Sequence, residues 1–183
     1  MKRIRFRISA GGVLLLAALY FTLDLSEFVA LMLAVCIHES GHLAAIALTG
    51  GHIDMVSANA AGAVISQRQG PERGAELLRA AAGPAAGVLY AWAASELGGA
   101  LNSRMLLCSS GFSLVLSAYN ALPVLPLDGG RMLACIAGER AASLCSLITA
   151  GLVMLLGAAA AAAGYGFALL MASVLLMLQQ TGL

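Results

Sequence analysis

About six apolar runs of membrane-spanning length, at 8–23, 28–48, 77–97, 105–124, 141–163 and 165–178, leave this chain few ways to fold. A helix needs roughly 20 apolar residues to cross a bilayer, and backbone that faces lipid must satisfy its own hydrogen bonds. Of the residues 61% are hydrophobic and 10% charged, against roughly 45 to 50% and 25% in a soluble globular domain. The pattern predicts an all-α polytopic membrane protein, a single transmembrane domain over 1–183 with no room for a separate soluble module.

The placement of charge predicts orientation. If the N-terminus is cytoplasmic, Lys2, Arg3, Arg5, Arg7, Arg68, Arg73, Arg79, Arg131 and Arg140 lie inside and Arg104 lies outside. That asymmetry fits the positive-inside rule with both termini in the cytoplasm. The first run leads into Asp24-Leu25-Ser26-Glu27 without a small-x-small cleavage site, so it reads as an uncleaved first helix. Cys36, Cys108, Cys135 and Cys145 show no C-x-x-C spacing and read as small apolar side chains.

The longest polar interval is 49–74. Gly50-Gly51 is expected to end the second helix. Residues 52–57 and 63–66 then read as two short strands around Asn59-Ala60-Ala61-Gly62, a membrane-associated β-hairpin whose edge could accept an extended peptide. Gln67 to Arg73 reads as a solvated turn. In the third helix, Gly83-Pro84-Ala85-Ala86-Gly87 predicts close helix packing and a kink. The run 157–166, almost all alanine and glycine, reads likewise, with Gly164 and Gly166 marking a turn between crossings. Pro123 and Pro126 predict that the fourth helix breaks near Leu122, presenting Asn120 and Asp128 from irregular backbone.

Within the second run stands His38-Glu39-Ser40-Gly41-His42. On a helix the two histidines share one face and can hold one metal ion, with Glu39 beside them. That is the H-E-x-x-H arrangement of a zinc hydrolase. Ionisable groups are costly in an apolar helix and are kept there mainly for function, which sets this match apart from a chance one. Cys36, two positions before His38, points away from the metal-binding face.

A catalytic zinc site typically takes three protein ligands and keeps a position for water. Candidates for the third are Asp128, His52, Asp54, Glu72 and Glu76. The charge topology sends the second and fourth helices toward the same membrane side, which favours Asp128. His52 and Asp54 follow a glycine pair that turns the chain away, and Glu72 and Glu76 suit a helix start.

Taken together, His38-Glu39-Ser40-Gly41-His42 and Asn120-x-x-Pro123-x-x-Pro126-Leu127-Asp128-Gly129-Gly130 resemble the site-2 proteases, intramembrane zinc metalloproteases, and the small chain is similar to their bacterial sporulation-factor branch. The resemblance covers the chain from the second helix to Arg131. It implies that Asp128 is the third zinc ligand, that Asn120 holds or polarises the substrate, and that a membrane-tethered protein is cleaved within or near its transmembrane segment. A regulatory precursor such as a pro-sigma or anti-sigma factor is the substrate class it implies. The expected setting is regulated intramembrane proteolysis in a bacterial cell membrane, with the active site toward the cytoplasm, regulatory membrane proteins as partners and no nucleic acid. Where many members carry Gly-Pro-x-x-Asn, this chain has Gly87 in place of the asparagine.

The H-E-x-x-H pattern predicts a water-activating mechanism with Glu39 as general base, and the role that the resemblance implies for Asn120 is that of a hydrogen-bond donor to the developing oxyanion. A membrane metal transporter using His38, His42 and Asp128 as a transient site is the alternative. It has no need of Glu39 beside the ligands.

Overall fold

The computed structural model describes residues 5–8, 10–51, 53–59, 62–67 and 72–166, together with helical residues at 170, 171, 173, 174 and 177. The last expected helix, 165–178, and most of the expected turn at 67–73 lie largely outside the described residues. The chain divides into two compact units, Met1–Tyr119 and Asn120–Leu183.

The first unit opens with β1 (Arg5–Ile8), followed by α1 (Ala10–Thr22) and α2 (Leu25–Leu48). Next come β2 (Ile53–Asn59), β3 (Gly62–Gln67), α3 (Arg73–Ala100) and α4 (Arg104–Asn120). β2 and β3 pair antiparallel, Asn59 opposite Gly62, with a register shift between Ile53 and Met55. β1 pairs parallel with β2, Arg5 opposite Met55, so α1 and α2 form the crossover that a parallel pair requires. The sequence places the first seven residues in a basic lead-in and does not anticipate β1. A four-residue strand owes its existence to a partner some fifty positions away, which local patterning cannot register.

α2 begins where its capping residues dictate. Asp24 Oδ1 accepts from the Glu27 N–H at 2.7 Å and Glu27 Oε2 accepts from the Asp24 N–H at 3.4 Å, a reciprocal capping box. Glu27 also pairs with Arg104 at the start of α4, at 3.2 Å; at this exposed position the pair is worth about 0 to 1 kcal/mol. At the far end Gly50 takes φ +68, its N–H reaching Ala47 O at 3.3 Å, and the Gly51 N–H bonds Ile46 O at 2.8 Å. These two bonds are the Schellman pattern, so the expected glycine stop is realised in detail.

α2 and α3 run antiparallel and pack through small residues. The buried stripe of α2 is Ala30, Ala34, His38, His42, Ala45 and Ile46; that of α3 is Arg79, Ala80, Gly83, Gly87, Ala91, Ala94 and Gly98. A Cβ on Gly41 would meet Ala82 O at 2.5 Å and Ala86 Cβ at 2.8 Å, so the two backbones approach as side chains on both would forbid. α4 lies on the pair through serines: Ser109 Oγ donates to Ala30 O, Ser110 Oγ to Ala91 O and Ser113 Oγ to Gly87 O, at 2.9, 2.6 and 2.9 Å.

The second unit holds α5 (Asp128–Ala137) and α6 (Glu139–Ala162). α4 ends at Asn120, so the break predicted by Pro123 and Pro126 falls at 121–127, closed by bonds from Val124 N to Leu122 O and Leu127 N to Val124 O. The Leu125–Pro126 peptide is cis, and the Leu125 N–H is capped by Ser146 Oγ of α6 at 3.0 Å. Two expectations are corrected here. Asp128 stands in the first turn of α5, not on irregular backbone, and Asn120 is the last residue of α4. Asp-Gly-Gly looks like a turn signal, but the glycines serve close approach: Cβ atoms on Gly129 and Gly130 would strike the backbone of Ala121 and of Val124 and Leu125. Gly164 and Gly166, at φ +83 and +92, end the run after α6 as expected.

α2 and α6 are long and apolar enough to cross a membrane; α1 is apolar but only 13 residues long. The helices turn large apolar side chains outward, among them Phe21, Trp92, Leu114 and Leu155, each more than half exposed. A surface this apolar matches hydrocarbon better than water.

Replacing the cap of α2 tests this account. Asp24→Ala should lower the unfolding free energy by about 1 kcal/mol in detergent, while Asp24→Asn should lose only a small part of it, measured by thermal or denaturant unfolding.

Candidate metal centre

His38 and His42 lie one helical turn apart on the buried stripe of α2, 3% and 8% exposed. Their rings meet nearly edge to face, centroids 4.9 Å apart at 79°, and the two Nε2 atoms face each other at 3.2 Å. The His42 orientation is fixed from α3: its Nδ1 lies 2.8 Å from the carbonyl oxygen of Arg79. Since a carbonyl only accepts, Nδ1 carries the proton there, and in the neutral ring Nε2 presents a lone pair toward His38.

That arrangement fits a zinc ion. Two imidazoles bound at about 2.0 to 2.1 Å in a tetrahedral shell would hold their nitrogens about 3.3 Å apart, close to the distance found. The Nδ1 bond to a backbone carbonyl is the usual outer-shell support of a ligating histidine.

Two features that sequence reasoning passed over make the geometry attainable. Gly83 lies against the His42 imidazole so closely that a Cβ would fall on the ring atoms. The sequence pattern assigns it to helix packing, and in the fold it also leaves space for the His42 imidazole. Arg79, read only as a topological charge, is 4% exposed, and its Nε donates to Thr49 Oγ1 at 2.6 Å while Nη2 reaches Thr49 O at 3.4 Å. Its side chain thus holds the end of α2 and its carbonyl holds His42. The buried position of an arginine in the third apolar run was the available signal.

Glu39 follows His38 by one residue, about 100° around the helix, and is half-buried. Cys36 is exposed, as its offset predicts, and all four cysteines are free thiols. Asp128 is buried at the N-terminus of α5, where the helix dipole favours its carboxylate, and Arg131 Nη1 lies 3.7 Å from Oδ1. Asn120 is half-buried. Of the other candidate ligands, His52 lies outside the described residues, and Asp54 stands in β2 at the register shift. Glu72 is exposed as the N-cap of α3, and Glu76 is in its first turn.

The fold has a solved counterpart. The chain superposes on the site-2 protease from Methanocaldococcus jannaschii with a TM-score of 0.69 at 21% identity, over 93% of this chain and 86% of that one. No protein-family model matches the sequence, and no curated protein matches it. At that identity the likeness defines the class of fold, a site-2-protease-like arrangement of helices.

Gly83→Ala should displace the His42 ring. Zinc retained after purification, measured by elemental analysis, should fall at least about tenfold, with helical content unchanged.

Proposed function

We propose that this protein is an intramembrane zinc endopeptidase of the site-2-protease kind, with His38, His42 and Asp128 as metal ligands and Glu39 as general base. One observation carries the reading: His38 and His42 are buried one turn apart with their Nε2 atoms 3.2 Å apart, about the separation that two imidazoles on one zinc ion take. Two neutral imidazoles and a carboxylate are a donor set of catalytic zinc sites, and the site-2-protease-like fold supports the same conclusion. A bound zinc ion would supply Lewis acidity, lowering the pKa of a water toward about 7 and polarising a carbonyl.

The chain's own residues would do the rest. Glu39 takes a proton from the attacking water and returns one to the leaving amine, a carboxylate acting first as base and then as acid. Asn120 donates its side-chain N–H to the carbonyl oxygen as negative charge develops there. Arg79 and Gly83 keep the His42 ring in place throughout.

The substrate in this reading is a membrane-tethered protein, a regulatory precursor such as a pro-sigma or anti-sigma factor, cut within or near its transmembrane segment. Such a segment hides its peptide bonds in helical hydrogen bonds and must unwind locally before cleavage. The edge of β3 offers backbone groups with which an unwound stretch could pair. The active site faces the cytoplasm of a bacterial cell membrane, and regulatory membrane proteins govern access to it.

Reconstitution with a membrane-tethered substrate tests the assignment. Glu39→Gln should cut the cleavage rate by about 10²- to 10⁴-fold with zinc still bound. Persistent processing in that variant would remove Glu39 as the base, and a membrane metal transporter, the competing class, would move zinc unchanged by it. Asp128→Ala should lose both zinc and cleavage, and chelation should stop the unaltered protein until zinc is restored. A proline placed at an outward N–H of β3 should slow cleavage without loss of zinc; an unchanged rate would dismiss the strand edge as a substrate dock.

A further inference from the structure

Three serines of α4 stand one turn apart on its buried face, Ser109, Ser113 and Ser117. The first two donate to backbone carbonyls of α2 and α3, and Ser109 also meets the Tyr90 hydroxyl at 2.8 Å. Ser117 differs: its hydroxyl is 2% exposed as a residue and has no hydrogen-bond partner among the described residues. A serine in an apolar helix ordinarily bonds the carbonyl one turn back, so a hydroxyl left over here is costly.

Two independent registers give its depth. Ser109 bonds Ala30 of α2, and α4 runs parallel to α2; eight residues further along each helix stand Ser117 and His38. Gly83 lies on His42, and α3 runs antiparallel to α2; one turn further stands Gly87, at the depth of His38. The Ser117 hydroxyl faces Gly87 directly, and a Cβ there would strike it. Both routes end at the level of the His38 imidazole. Gly87 therefore does for Ser117 what Gly83 does for His42: it clears space for a polar side chain.

An imidazole that ligates through Nε2 keeps its proton on Nδ1, on the other side of the ring, and that proton requires an acceptor. For His42 the acceptor is the Arg79 carbonyl. We propose that Ser117 plays the corresponding part for His38, its hydroxyl oxygen taking up the Nδ1–H through one buried water. The oxygen has two lone pairs for this. Ser117 is thus a positioning residue that acts through a metal ligand. The inference rests on the zinc-site reading above.

The test is zinc affinity of the full chain in detergent, by competition with a chromophoric chelator. Ser117→Ala should bind zinc about 10- to 100-fold more weakly, with the unfolding midpoint of the metal-free protein unchanged. Ser113→Ala, which removes a hydroxyl already engaged with Gly87 O, should leave zinc affinity unchanged. Ser117→Thr and Ser117→Val share one shape, so packing damage is common to both and their ratio reads the hydroxyl alone; threonine should bind about 10-fold or more tightly than valine. Equal affinities in that pair would overturn the role of Ser117 while leaving the zinc site standing. An unaltered chain that takes up no zinc would sink the zinc-site reading itself, and this inference with it.

Discussion

The contact between Gly83 and the His42 imidazole is the constraint on which the rest of the first unit depends. A histidine on the buried face of an apolar helix needs both room and a hydrogen-bond partner, and α3 supplies the two within one turn of itself. Gly83 leaves the room, and the Arg79 carbonyl takes the Nδ1 proton. Because both come from one rigid helix, the ring cannot shift without moving the helix pair. The small residues at Gly41, Ala82 and Ala86 then read as conditions of the site, since they bring the backbones close enough for a carbonyl of one helix to reach a ring on the other.

Arg79 extends that constraint to the helix ends. Its guanidinium bonds the Thr49 side chain and carbonyl where α2 terminates in glycine, so the negative end of the α2 dipole meets a buried cation. One residue therefore ties α3 to the end of α2 and, through its main chain, sets the tautomer of His42.

Much of this was legible in the sequence where the cause is local. The apolar runs locate α1 to α4 and α6 to within several residues, because helix is the form in which lipid-facing backbone satisfies itself. Gly50-Gly51 announces its stop, and the His38–His42 spacing announces a shared face. What escaped has causes that are not local. β1 exists through β2, and Gly83 matters through a ring on another helix. Asp128-Gly129-Gly130 carries the letters of a turn but folds as the first turn of α5, since close approach to the 121–125 backbone excludes any side chain at its glycines.

Gly87 shows how a substitution can be misread when only its own side chain is considered. Set beside a family pattern with asparagine, glycine looks like a deletion of function. In this fold the position is already occupied from outside: the hydroxyls of Ser117 and Ser113 fill the space over its Cα, and a Cβ would collide with the first. Polar groups at this depth of a helix bundle are expensive, and a hydroxyl that reaches in from α4 requires a matching vacancy on α3. Glycine at 87 and serine at 117 are thus one feature, and either alone would be unfavourable, the glycine as a void and the serine as a clash.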